Sequence, residues 1–227
     1  MRRVILPVVP SDGDARLTLM LLAALLFLSP AVATPKSAET LWQALMEGNK
    51  VYVAGHEKFD DIVTLREHTA AHQSPPVTIL SCSDSRVPAE LVFDKTINSL
   101  FVVRVAGNVA GPYEIASIEY AIANGYTKMI IVMGHEECGA IRAALSPNDA
   151  GSPSLNALVT KIRESFGGIE RKLDPATVRK AVEANARASA ADLLKQSKII
   201  SDAVKSGKVA LVTAYYDLDE GTVERLK

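Results

Sequence analysis

Apolar positions along the chain fall into two alternating kinds of run. Val77-Thr78-Ile79-Leu80, Leu100 to Val105, Lys128 to Met133 and Lys208 to Ala214 are short and continuous, as in strands buried on both faces of a parallel sheet. Between them lie stretches of helical period. Pro88 suits the first turn of a short helix, Ala89 to Phe93. Tyr113 to Asn124 carries Ile115, Ile118 and Ala121 on one side and stops at Gly125. Gly139 to Leu145, Leu155 to Phe166 and an Ala-rich region from Pro175 to about Ser206, with room for one break, follow in turn. This order predicts an α/β fold with a mostly parallel central sheet flanked by helices and joined by right-handed crossovers.

Two helices precede the sheet. Ser37 can cap one that carries Leu41, Trp42, Leu45 and Met46 at helical spacing and ends at Gly48. Its single apolar stripe needs a surface to cover it, for which a partner subunit is one candidate. Asp61 to Ala71 reads as the second, broken at Gln73-Ser74-Pro75-Pro76.

The start of the chain changes the picture. Arg2, Arg3 and Arg16 precede an apolar run from Leu17 to Leu28, and Ala31-Val32-Ala33 has the form of a signal-peptidase site. Residues 1–33 are expected to be a cleaved secretory signal, leaving 34–227 as one catalytic domain in an exported, periplasmic protein. A membrane span needs about 20 apolar residues, so no stable insertion is expected after cleavage. A net charge of −1 with acids and bases interspersed excludes an electrostatic grip on nucleic acid or an anionic membrane. A small-molecule or protein partner fits better.

The candidate chemistry sits where two strands end. Cys82-Ser83-Asp84-Ser85-Arg86 follows the first strand and His135-Glu136-Glu137-Cys138 follows the third, where open α/β sheets build their sites. His135 and Cys138, three apart, can point at one ion, and Cys82 is the remaining thiol of the chain. Three such ligands leave one tetrahedral position open, as in catalytic zinc sites, where bound water becomes acidic near pH 7 or so. Two thiolates donate more charge than imidazoles, so such a centre needs help in making hydroxide. Asp84 can close the site as a fourth ligand, or stay off the metal and accept a hydrogen bond from its water. The fork of Arg86 favours the second arrangement. Glu136 and Glu137 read as solvated. In an oxidising compartment the rival reading is a disulfide between the two cysteines.

These two segments, with Phe101-Val102-Val103-Arg104 and Ile118-Glu119-Tyr120-Ala121 between them, resemble the β-class carbonic anhydrases in order and spacing. The resemblance is detailed from Gln73 to Ile141 and extends in outline from Ser37 to the final strand. It implies an antiparallel last strand, an N-terminal helical arm reaching across to a neighbour, and a homodimer or higher homo-oligomer. It further implies one Zn2+ per subunit on Cys82, His135 and Cys138, with Asp84 and Arg86 as a catalytic dyad. Gln73 would donate to a substrate oxygen, the Gly139 N–H would bind an anion, and Phe101 and Tyr120 would line the substrate pocket from across the dimer interface. By their residue type alone, the two aromatics read as core. The implied reaction is attack of zinc hydroxide on carbon dioxide to give bicarbonate and a proton. Ile79 and Ser81 replace the Trp and Gly with which some members build a noncatalytic bicarbonate site, so an open site is expected. Rivals are a carbonyl sulfide or carbon disulfide hydrolase of the same fold and a non-catalytic zinc-binding protein. The latter would be expected to have lost Asp84, Arg86 or Gln73, and all three are present.

Overall fold

The computed structural model describes residues 37–55, 61–148 and 150–227. The expected signal at 1–33 lies outside the described residues. Ser37 stands just ahead of α1 (Ala38–Val53), where its hydroxyl accepts from the Thr40 N–H at 3.2 Å and satisfies an amide that a helix start leaves unpaired. Gly48 does not end this helix, contrary to the sequence expectation. Glycine is needed there for proximity, because a Cβ would lie 1.9 Å from the Phe93 carbonyl oxygen. After a gap in the described residues, Asp61 caps α2 (Ile62–Thr69), none of whose residues is buried.

Five strands follow: β1 (Val77–Ser81), β2 (Leu100–Arg104), β3 (Met129–His135), β4 (Ala210–Tyr216) and β5 (Val223–Arg225). They lie in the order β2-β1-β3-β4-β5, with the first four parallel and β5 antiparallel to β4. The antiparallel last strand is therefore Val223–Arg225, a segment the sequence analysis left unassigned, while the run it took as last is the parallel β4. Of the three residues of β5 only Val223 is buried, so no alternation marks it as a strand.

The connecting helices are α3 (Ala89–Val92), α4 (Pro112–Ala123), α5 (Gly139–Leu145), α6 (Pro153–Arg163), α7 (Pro175–Gln196) and α8 (Lys198–Lys205). Ser197 supplies the break between the last two, with extended backbone and a hydroxyl that accepts from the Ile200 N–H at 3.1 Å. Every residue of β1 and β3 is buried, and their alternation divides the core between the sheet's faces. Ile79, Ile131 and Met133 join Val92, Phe93, Leu41, Trp42 and Leu45, whereas Leu80, Ile130 and Val132 join Ile118, Ala186, Leu193 and Ile200. Each such aliphatic side chain contributes about 1.5–3 kcal/mol by leaving water.

The first of these clusters bears on a second expectation. Leu41, Trp42 and Leu45 of the α1 stripe are buried in one cluster with Val212 and Val223 of the chain's own sheet, so covering these three does not require the partner subunit offered as one candidate. Buried Asn49 fastens the helix there, donating to the carbonyls of Val92 at 3.0 Å and Gly221 at 2.8 Å and accepting from the Val223 N–H at 3.0 Å. Among the described residues, no helix is long and apolar enough to cross a membrane.

Topology positions the site. The chain leaves β1 for β2 on one side and then crosses to β3 on the other, so the loops after β1 and β3 diverge and open a crevice at their carboxyl ends.

Candidate metal centre

Cys82 is the first residue beyond β1, His135 is the last of β3, and Cys138 stands immediately before α5. Their ligand atoms all lie within 4.8 Å of one another, and all three residues are buried. The two sulfurs are 3.9 Å apart and form no disulfide. His135 Nδ1 lies 2.7 Å from the Glu136 carbonyl oxygen, which can only accept, so Nδ1 carries the proton and Nε2 keeps a lone pair. That Nε2 is buried without a hydrogen-bond partner. An orphaned imidazole nitrogen beside two converging thiols fits a two-cysteine, one-histidine zinc site, and the carbonyl holding Nδ1 is the outer support such a ligand needs.

The charges fit as well. The Cys138 thiol first, helped by the amides of Gly107 and Asp84, draws the Cys82 thiol down against the opposing effect of burial. The same contact with Cys82, reinforced by burial, pushes the Cys138 thiol up. Two thiolates this close repel each other unless a cation lies between them, and a divalent ion would hold both ionised. The Gly107 N–H donates to Cys82 Sγ at 3.3 Å from a tight turn, Ala106–Asn108. Gly107 has φ +69°, and a Cβ on it would lie 2.7 Å from Ile162 Cδ1 and 3.2 Å from Ala140 Cβ. A side chain at this position would be strained by the positive φ and would have to displace the end of Ile162 and crowd Ala140, so glycine suits the close approach of this amide to the sulfur.

Asp84 stands beside the cluster without joining it. Arg86 donates from Nε to Oδ1 at 3.0 Å and from Nη2 to Oδ2 at 2.8 Å, and its backbone N–H donates to Oδ1 at 3.0 Å. These bonds, the side-chain ones foremost, hold the carboxyl well below the usual carboxylate range although burial opposes them. Arg104, named in the sequence only as part of a landmark, steadies the loop from β2. Its Nε donates to the Cys82 carbonyl at 3.0 Å and its Nη2 to the Asp84 carbonyl at 2.6 Å. The one available signal was a cation closing an otherwise apolar strand.

Glu136 and Glu137 are partly exposed and stand outside the Cys82, His135, Cys138 cluster, and each has a protein partner as well. Glu136 Oε2 accepts from the Leu218 N–H at 3.0 Å and so anchors the turn after β4, while Glu137 pairs with Arg142 at 2.7 Å. Glu137 also adopts φ +49°, a conformation costly for a side-chain-bearing residue, between two of the converging ligands. Gly139 opens α5 beside Cys138, and a Cβ there would meet nothing within 4 Å. Gln73 is exposed in the loop before β1. Phe101 and Tyr120 stack with centroids 6.3 Å apart, but Phe101 is only half-buried and Tyr120 is 51% exposed, so neither is plain core. Among the described residues no hydrogen bond joins Gln73, Phe101 or Tyr120 to the cluster.

Comparison with known proteins agrees with this geometry. The family model for carbonic anhydrase matches residues 77–223. Carbonic anhydrase 2 of Mycobacterium tuberculosis is 36% identical over 184 residues, covering 79% of this chain and 88% of its own. A carbonic anhydrase of Mycolicibacterium smegmatis is 34% identical over 187 residues, 81% of this chain and 90% of the relative. The solved structure of the β-carbonic anhydrase CcaA superposes with a TM-score of 0.67 at 26% identity, over 82% of this chain and 95% of that one. Fold, ligand set and relatives coincide, and the chain belongs to the β-class carbonic anhydrases.

Proposed function

We propose that the chain hydrates carbon dioxide reversibly to bicarbonate and a proton, using a zinc ion held by Cys82, His135 and Cys138. The observation that carries this reading is the buried, unpartnered His135 Nε2 within reach of two sulfurs only 3.9 Å apart. Zinc bound there supplies Lewis acidity, making water a usable nucleophile near neutral pH.

The chain's own residues do the rest. Asp84, kept ionised by the Arg86 fork, accepts a hydrogen bond from the attacking water and aims its lone pair at the substrate carbon. Arg104 holds the backbone of that loop so the carboxylate does not drift. The amide of Gly139, in the first turn of α5 beside Cys138, donates to an oxygen on which negative charge develops. Gln73, Phe101 and Tyr120 are exposed or half-buried on a single chain, which suits residues that complete a neighbour's pocket in a homodimer. The reading extends to export: residues 1–33 direct the protein to the periplasm and are removed, on the strength of the early arginines, the apolar run and Ala31-Val32-Ala33.

Metal analysis of the purified protein with stopped-flow hydration tests the core of this reading, run beside assays of sulfide release from carbonyl sulfide and carbon disulfide. Hydration by protein with one zinc per chain is expected. Sulfide release without hydration, or a metal-free protein with its cysteines oxidised to a disulfide, would overturn it. Cell fractionation, with the mass of the mature N-terminus, tests export.

A further inference from the structure

A buried polar contact lies behind the metal centre, between α7 and the Gly107 turn. Asn185, on α7, is 2% exposed, and its Nδ2 donates to the Gly107 carbonyl at 2.7 Å. The other end of that residue, the Gly107 N–H, donates to Cys82 Sγ at 3.3 Å. A single glycine thus joins a side chain of α7 to a sulfur at the end of β1. We propose that Asn185 is a positioning residue of the metal centre, holding the Gly107 turn so that its amide stays on the Cys82 sulfur. The proposal rests on the reading of Cys82 as a metal ligand.

Three observations give it weight. First, the Asn108 N–H closes the turn onto the Val105 carbonyl at 3.0 Å, while the Gly107 carbonyl faces outward and takes the side-chain hydrogen bond from Asn185. Gly107 and Asn108 both have positive φ, +69° and +44°, so the peptide planes around Gly107 belong to no regular helix or strand and take their direction from their surroundings. Second, Gly107 packs closely against Ile162 and Ala140, so the amide direction is set by that packing, by the Asn108–Val105 backbone bond and by the hydrogen bond from Asn185. Third, the face of α7 that carries Asn185 also presses on β3. Gly134, the residue before His135, would put a Cβ 2.6 Å from Val182 Cγ1 and 3.7 Å from Ala186 Cβ. The helix therefore abuts the supports of two of the three ligands. Hydrogen bonds to a thiolate draw off charge that would otherwise go to the metal, and such outer contacts tune both affinity and ligand-field spectra.

Asn185 also lines a cavity of about 220 Å³ with Val109, Ser189, Lys161, Glu164 and Asp192. Truncating it therefore enlarges a polar space that water can enter, so the fold is expected to survive. Ser189, 3% exposed, borders the same cavity and, among the described residues, makes no hydrogen bond to the turn, so it serves as the control.

The test compares wild type with Asn185→Ala, Asn185→Ser and Ser189→Ala, all as full chains. Zinc affinity is read by competition with a chromophoric chelator, and thiolate-to-metal charge transfer by absorption of the cobalt-substituted proteins. Asn185→Ala is expected to bind zinc about 10-fold more weakly and to shift the charge-transfer band, as loss of an outer support does. Asn185→Ser, which keeps a donor on a shorter arm, should fall between, and Ser189→Ala should match wild type. Equal effects of Asn185→Ala and Ser189→Ala, or a lowered Tm with affinity and band unmoved, would overturn the proposal. Should the Asn185 variants not fold, cadmium-113-substituted wild type still decides: coupling from the Gly107 amide proton through sulfur to cadmium is expected, and its absence overturns the relay. A wild type that takes up neither zinc nor cobalt would overturn the metal-centre reading beneath it.

Discussion

Arg86 holds Asp84 in a two-pronged grip, Nε to Oδ1 and Nη2 to Oδ2, and leaves Oδ2 3.9 Å from His135 Nε2. The carboxylate therefore sits next to the candidate ligands, yet both of its oxygens are already engaged by a guanidinium.

Asp84→Asn preserves shape and removes charge. It should lower kcat/KM for hydration by about 100-fold or more, the usual cost of losing a positioned proton acceptor, while zinc per chain stays the same. Stopped-flow rates and metal analysis on the same preparation check this, and undiminished turnover would remove Asp84 from the mechanism. Because Arg86 keeps the carboxyl ionised well below the usual carboxylate range, no Asp84 inflection is expected in the rate profile above about pH 5.

Gly48→Ala should destabilise the protein, although alanine favours an isolated helix by about 1 kcal/mol. The added methyl would meet the Phe93 carbonyl oxygen at 1.9 Å, and moving α1 aside is expected to cost about 1–3 kcal/mol. Urea unfolding gives the sign directly; a gain in stability would show that α1 does not pack on α3.

Asn49→Ala leaves the Val92 and Gly221 carbonyls and the Val223 amide without their partner. Each unsatisfied buried group costs about 1–3 kcal/mol, so a loss of about 3 kcal/mol or more is expected in denaturant unfolding. Asn49 touches no residue of the metal centre, and hydration per zinc-loaded chain should be unchanged.

Alkaline stability should fall in a defined window. Burial first, then the charge of Glu136, pushes the Tyr215 phenol up to about 12, and burial with the Tyr52 hydrogen bond raises Tyr216. An unfolded tyrosine ionises near 10 or so. Above that pH the unfolded chain has released protons that the folded one still holds, so stability is fully present below about pH 10 and is lost as pH rises toward the folded value. Urea midpoints across this range check the slope, which Tyr215→Phe should flatten.

Much of the fold could be read from short-range pattern. The runs at Val77 and Lys128 to Met133 are strands because fully buried strands read as unbroken apolar segments, and the equally unbroken run at Leu100 is a strand although it is only partly buried at the sheet edge. Ser37, Asp61 and Ser197 act at their helix starts because capping is decided within three residues. The failures share a cause. Gly48 looked like a stop signal because its need for proximity depends on Phe93, far away in the chain. Strand β5 carried no pattern, since one buried residue in three has no period.

The site divides in the same way. Sequence by itself determined the candidate ligand set, because Cys82, His135 and Cys138 lie at the ends of two recognisable strands and their side-chain chemistry is intrinsic to residue type. The neighbouring pair Asp84 and Arg86 was legible for the same reason of closeness. Only the tertiary structure decided that β1 and β3 are adjacent, that Leu41, Trp42 and Leu45 of α1 are covered by the chain's own sheet, and that Arg104 and Asn185 support the loops around Cys82. Asn185 and Gly107 are 78 residues apart, and one hydrogen bond between distant elements leaves no periodic trace in either. Local chemistry is written in residue type and spacing, whereas the direction in which a donor points is settled only when separate elements pack.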